Sequence, residues 1–240
     1  VLPPSKTESV HRCRTIAGEQ FDGDLEVAVA EVSHPVFARV YERLSVAMDR
    51  AGTAAYRRDL VAGLSGRVIE IGAGNGRMFP HYPPSVTEVV AVEPERRLRA
   101  AAERAASTAP VRVTVVDGLA DRLPAGADEF DAAVVALVLC TVPDQASALT
   151  EAGRVLRPGG ELRFFEHVAA ERQSGLHRAQ RLLDATVWPR LFAGCHTGRD
   201  TLAAITTAGF VVEEVRRFRF PATSNGPSSP CVHGRATWPA

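Results

Sequence analysis

The chain of 240 residues has no excess of either charge, 28 Lys and Arg standing against 28 Asp and Glu. Nucleic-acid binders carry a basic excess or stripe, so that class is disfavoured. No apolar run approaches the roughly 20 residues that span a bilayer, and stable membrane insertion is not expected. The opening "VLPPSKTESVHRCRT" lacks the apolar centre of a secretory signal. Cysteine is sparse: Cys13, Cys140, Cys195 and Cys231 lie far apart and form no C-x-x-C pair. That argues against a metal site or a disulfide framework and makes a reducing cytoplasm the expected location. No internal repeat or low-complexity block competes with a globular reading. What the chain does have is an ordinary apolar content, enough for a full core in one domain.

Residues 1–33 are polar and aperiodic and read as a flexible arm, leaving 34–240 as the domain. Val36, Phe37, Val40, Tyr41 and Leu44 fall on one helical face, whose apolar side is expected to act as a lid. A second helix is expected from Thr53, its cap, to Leu64, with Tyr56, Leu60, Val61 and Leu64 inward. Strands and helices then alternate. The strands are "RVIEIG", "EVVAVEP", "VRVTVVDG", "FDAAVVALVL", "ELRFFEHV", "FVVEEVRRFRF" and "CVHGRATW". Helices are expected after Pro94, from Asp144 to Leu156 with Gly159 and Gly160 of "RPGG" ending it, and over 175–192 and 198–208. Asp200 is placed in the first turn of the last helix. This order implies an α/β fold with a mostly parallel sheet covered on both faces, binding its ligand at the carboxyl ends of the strands.

The turn after the first strand, Gly72-Ala73-Gly74-Asn75-Gly76, is G-x-G-x-G. The third glycine of a dinucleotide fingerprint is replaced by Arg77, which disfavours a pyrophosphate cradle. Glycines let a ligand approach the backbone, and Glu70 just before them attracts an ammonium group. Glu93, ending the second strand, suits two ribose hydroxyls. Asp117, ending the third, suits an adenine amino group, with Leu119 packing nearby. An amino-acid end, a ribose and an adenine together describe S-adenosylmethionine. The expected cofactor set is Glu70, Gly72, Ala73, Gly74, Asn75, Gly76, Glu93, Pro94, Asp117, Gly118, Leu119 and Leu137, with no metal.

In "VIEIGAGNG", "VAVEP", "VVDGLADRLP", "FDAAVVALVLCTVPD" and "VLRPGGELRFFEHV" the chain resembles the class I S-adenosylmethionine-dependent methyltransferases. The resemblance implies a Rossmann-like fold with a seven-stranded sheet. A narrower likeness, to the thiol S-methyltransferase subfamily, rests on "LVLCTVPD", "EHVAAE", "LLDATVWPRLFAGCHTGRDT" and "RFRFP". It implies a small-molecule thiol acceptor. Those relatives carry an amino-terminal membrane anchor that this sequence does not show, so membrane association is not carried over.

Methyl transfer asks an enzyme to align donor and acceptor and to exclude water. The stretch near 171–200 reads as an insertion over the acceptor pocket. Tyr41, Cys140, Trp188, Phe192 and Cys195 are the expected pocket residues, although Cys140 also suits a small buried hydrophobe. His167, His196 and Asp184 are the catalytic candidates, either histidine as base and Asp184 as a partner of His196. His81 and Tyr82 are expected at the surface or behind the site. Oxygen, nitrogen or carbon acceptors, a nicotinamide-dependent oxidoreductase and a non-catalytic nucleoside binder are the competing readings.

Overall fold

The computed structural model describes residues 34–240; the expected arm, 1–33, lies outside the described residues. Helix α1 (Pro35–Met48) opens on Pro35, whose fixed φ and missing N–H suit a first helical position. A wide turn at Asp49–Thr53, with Gly52 at φ +116°, leads into α2 (Ala54–Val61). Two expectations fail here. Val36, Val40 and Leu44 are 75%, 57% and 40% exposed, and the inward residues are Ala38 and Ser45. Phe37 and Tyr41 of the expected face are half-buried, and Tyr41 lies over the glycine turn. Thr53 is buried and makes no capping bond, because α2 follows α1 without a free helix start.

Strands β1 (Gly66–Ile71), β2 (Val86–Val92), β3 (Val113–Val116), β4 (Phe130–Ala136), β5 (Leu156–His167), β6 (Val211–Arg219) and β7 (Pro230–Thr237) form one sheet in the order β3-β2-β1-β4-β5-β7-β6. Among the described residues β7 alone runs against the direction of the other six strands. Helices α3 (Arg96–Ala106), α4 (Gln145–Val155), α5 (Gly175–Asp184), α6 (Trp188–Leu191) and α7 (Thr201–Thr207) complete the domain. The period-two alternation of each strand feeds two cores. Ile69, Val90, Val135 and Phe164 pack with Leu149 and Ile205 on one face. Val68, Val89, Val134 and Phe165 pack with Leu60, Val61 and Phe79 on the other.

"RPGG" does not end α4. The helix stops at Val155, and the glycines join β5 because the Gly159 N–H donates to the Trp238 carbonyl (2.9 Å) and the Trp238 N–H to that of Gly160 (2.8 Å). The expected helix over 175–192 breaks after Asp184 into α5 and α6, with Pro189 in the first turn of α6. Asp200 is the cap of α7, its carboxylate accepting from the Ala203 N–H. Successive strands step outward from β1 in one direction and from β4 in the other, so the crevice at the carboxyl ends of these two strands is where this topology binds ligands.

Candidate active site

The glycine turn sits in that crevice. Gly72, Gly74 and Gly76 take φ of +73°, +57° and +76°, left-handed values that L-residues disfavour. A Cβ on Gly72 would lie 2.6 Å from Val138, so the turn packs directly on the loop after β4. The Glu93 carboxylate spans the turn, accepting the Gly74 N–H (2.7 Å) and the Glu95 N–H (2.9 Å). Glu70 lies below, accepting from the Tyr82 hydroxyl (2.9 Å). Tyr82 is therefore buried in the site's floor and not at the surface. Asp117 is exposed and held by Arg99 (3.0 Å), whose guanidinium also donates to the carbonyls of Glu93 and Pro94. Gly118 packs against Pro124 and Val92, and Leu119 is half-buried beside it.

Helix α1 crosses the turn. Tyr41 covers Gly74, its ring 3.3 Å from where a Cβ would stand, and stacks on Phe37. Asn75 donates to Ser45 (3.0 Å), Arg77 pairs with the largely buried Asp49, and Arg97 with Glu42 (2.8 Å). Arg77, which breaks the dinucleotide fingerprint, is thus a latch for the helix. Arg57, also buried and beside Asp49, supplies positive charge near Glu70 and Tyr41.

Where the acceptor pocket is expected, Leu137 bends the chain at the end of β4 with φ +61° and donates to the Phe165 carbonyl (2.7 Å). The next three N–H groups, of Val138, Leu139 and Cys140, all donate to Glu166, at 2.8, 3.0 and 3.2 Å. Arg199 closes the same loop from above through the carbonyls of Leu139 and Val142 (2.8 and 2.6 Å). Neither residue is among the sequence candidates. An acid in the apolar "FFEHV", alternating inward with Phe164, is the signal for Glu166; Arg199 carries none.

The insertion meets this loop where the His196 N–H donates to the Cys140 carbonyl (2.7 Å). Interaction between the two thiols raises Cys140 well above the usual thiol range and lowers Cys195. Trp188 and Phe192 stack at 4.3 Å. Asp184 does not pair with His196. Its oxygens accept the N–H groups of Thr197 and Gly198 (both 2.8 Å) and the Thr197 hydroxyl (3.0 Å), so it shapes the insertion. His196 instead turns Nδ1 toward the Gly194 carbonyl (2.8 Å), with Arg199 at 3.3 Å. His167 faces Cys231 (3.5 Å), and burial lowers its pKa to about 4.

Burial also raises three acids, Glu70 to about 8 and Glu93 and Glu166 to about 7. Unfolded, these groups titrate near 4.5. Between the two values the folded chain holds more protons, so their stabilising effect is full below about 4.5 and fades as pH rises through 7–8. A cationic ligand at Glu70 would favour its carboxylate and reverse this trend. Thermal unfolding should therefore show a lower midpoint at pH 8 than at pH 6.5 without ligand, and a larger upward shift on adding S-adenosylmethionine at pH 8. Equal shifts at both values would remove Glu70 from the ligand's surroundings.

Among the described residues no helix is long and apolar enough to cross a membrane, and no side-chain group is arranged to hold a metal. A methyltransferase-domain family model matches residues 69–164. The human thiol S-methyltransferase TMT1A is 35% identical over 67% of each chain. The ubiquinone/menaquinone biosynthesis C-methyltransferase UbiE of Syntrophotalea carbinolica is 31% identical over 56% of this chain and 60% of its own. A methyltransferase structure from Thermotoga maritima superposes with a TM-score of 0.61 at 25% identity, covering 84% of this chain and 96% of that one. Fold, strand order and the glycine turn define a class I methyltransferase domain. The chain belongs to the class I S-adenosylmethionine-dependent methyltransferases.

Proposed function

We propose that this chain methylates the sulfur of a small, apolar thiol. S-adenosylmethionine supplies the methyl group, carried on a sulfonium cation. Glu93 holds the ribose, Glu70 attracts the ammonium, Asp117 accepts from the adenine, and Tyr41 shields the donor from water. Trp188 and Phe192 wall the acceptor, and the Glu166-bound loop fixes the edge it rests on.

The observation that carries the thiol reading is that the candidate bases at the expected acceptor end are buried neutral or already engaged in hydrogen bonds. His167 is held neutral by burial, with a pKa of about 4. His196 has the Arg199 guanidinium against its ring, and both oxygens of Asp184 and of Glu166 already accept backbone N–H groups. A hydroxyl acceptor, with a pKa of about 10 even for a phenol, needs a base. A thiol ionises near 8.5 unaided and lower beside a cation. The thiol S-methyltransferase relatives support the same reading. Carbon methylation of a quinone is the second reading, favoured by the quinone-pathway relatives.

A panel of an alkyl thiol, a phenol, an amine and a demethylated quinone, read by mass, tests the choice. The thiol should be methylated, its rate climbing with pH up to the thiol's own pKa. His167→Gln and His196→Gln should fall well short of the roughly 10²–10⁴-fold loss of a general base. Methyl transfer to the quinone and not to the thiol would replace this reading with the second.

A further inference from the structure

The methyl-transfer reading leaves one pair of reactive groups without a task. Cys140 and Cys195 come from different segments, the loop after β4 and the insertion after α6, and their side chains lie near enough to shift one another's ionisation. The backbones are joined at the same place, the His196 N–H reaching the Cys140 carbonyl at 2.7 Å. Gly194 makes the approach feasible, since a Cβ there would stand 3.1 Å from the Thr141 carbonyl. Each segment is braced from its far side: Glu166 and Arg199 hold the Cys140 loop, and Asp184 holds Thr197 and Gly198. A disulfide needs its two backbones close together, and the hydrogen bond from the residue after Cys195 to Cys140 holds them so.

We propose that Cys140 and Cys195 form a redox-active dithiol in the wall of the acceptor pocket, closing to a disulfide by exchange with a low-molecular-weight disulfide. The roles are unequal. Cys195 is half-buried whereas Cys140 is buried, so an incoming disulfide reaches Cys195 and Cys195 attacks first. Its thiolate bonds to one sulfur of the incoming disulfide, the S–S bond breaks, and one thiol leaves after taking up a proton. Buried Cys140 then gives up its proton and bonds to the Cys195 sulfur, releasing the second thiol. The protein dithiol loses two electrons and two protons, and the small disulfide gains them as two thiols. Two thiol molecules entering in turn run the steps backward and leave as a disulfide. On the thiol reading proposed above, the pair thus tracks the ratio of reduced to oxidised forms in the pool from which the enzyme draws its acceptor.

The test equilibrates the full chain in buffers of reduced and oxidised glutathione, quenches with acid, alkylates the free thiols and maps the peptides by mass. No methyl donor or acceptor is present, so the result is independent of the thiol-methylation reading, which the acceptor panel decides. The expected result is a Cys140–Cys195 linked peptide that grows as oxidised glutathione increases and disappears in excess reduced glutathione. C140S should trap glutathione on Cys195, and C195S should leave Cys140 unmodified. If Cys140 and Cys195 both remain alkylatable in oxidised glutathione, or if Cys195 links to Cys13 or Cys231 instead, the proposal is overturned. Glutathione captured by Cys140 in C195S overturns the assignment of Cys195 as the attacking thiol. The wild-type map stands without either variant, so misfolding of a variant leaves the proposal decided.

Discussion

Glu93→Ala is expected to weaken S-adenosylmethionine binding a hundredfold or more. The carboxylate acts twice. It accepts the N–H groups of Gly74 and Glu95, fixing the glycine turn against the end of β2, and on the proposed function it receives both ribose hydroxyls. Hydrogen bonds to a charged group are worth roughly 1.5–3 kcal/mol each. Two of them lost to the ribose amount to about 3–6 kcal/mol, and each 1.4 kcal/mol is about a factor of ten. The orphaned Gly74 N–H also frees the turn to move, so the pre-organised cradle is lost with the contact. Glu93→Gln keeps an acceptor oxygen and should fall between. Asp117→Ala should cost much less, because that carboxylate is 59% exposed and shared with Arg99. Calorimetry on the three variants reads the ranking, and Asp117→Ala proving the most damaging would reverse the assignment of the ribose site.

The largest loss of stability is expected from Glu166→Ala. The side chain is fully buried and accepts three consecutive N–H groups. An unsatisfied buried donor costs about 1–3 kcal/mol, so the set is worth at least about 3 kcal/mol. That is a large part of the roughly 5–15 kcal/mol that holds a domain together. For a chain of this size it lowers the unfolding midpoint by about 6–12 °C. Glu166→Gln gives the test its resolution. Its amide oxygen serves at most two of the three donors, and its NH2 group confronts the third. The order wild type, Gln, Ala in scanning calorimetry follows from that count. An alanine variant as stable as wild type would mean that water satisfies the loop, and that the carboxylate does not build the acceptor edge.

The residues that could be read from sequence are those whose chemistry is local. A glycine turn after an apolar strand, and acids closing the first three strands, declare themselves by position, because the parallel sheet fixes where each strand ends. Tertiary partners do not declare themselves in that way. For Tyr82 the sequence leaves the surface and a place behind the site equally open, and its hydroxyl on Glu70, 12 residues earlier in the chain, decides for the second. Asp184 and His196 invite pairing by type, yet the insertion bends so that the acid meets the backbone of Thr197 and Gly198. Helix α1 misleads for a related reason. Its valines and Leu44 turn outward, while Phe37 and Tyr41 of the same expected face stay half-buried and Tyr41 covers the glycine turn. The break in the expected 175–192 helix was marked by Pro189, though where α5 stops depends on Asp184's distant partners.

The position of β7 has a consequence for how the chain matures on the ribosome. The last strand in chain order does not add to a rim of the sheet. It enters between β5 and β6 and pairs with both. Until it emerges, β5 presents a row of unsatisfied backbone groups along Glu161–His167, the stretch that includes Phe164 and Phe165 and ends beside the proposed acceptor edge. Nascent chains fold from the amino terminus as they appear, and an unpaired apolar strand edge is a template for pairing with other chains. The nucleotide-binding half can therefore be laid down early, whereas the acceptor half waits, sticky and incomplete, for the final residues of the sheet. Slow translation over the closing hairpin would lengthen that exposure, and a chaperone that shields strand edges would act at this step.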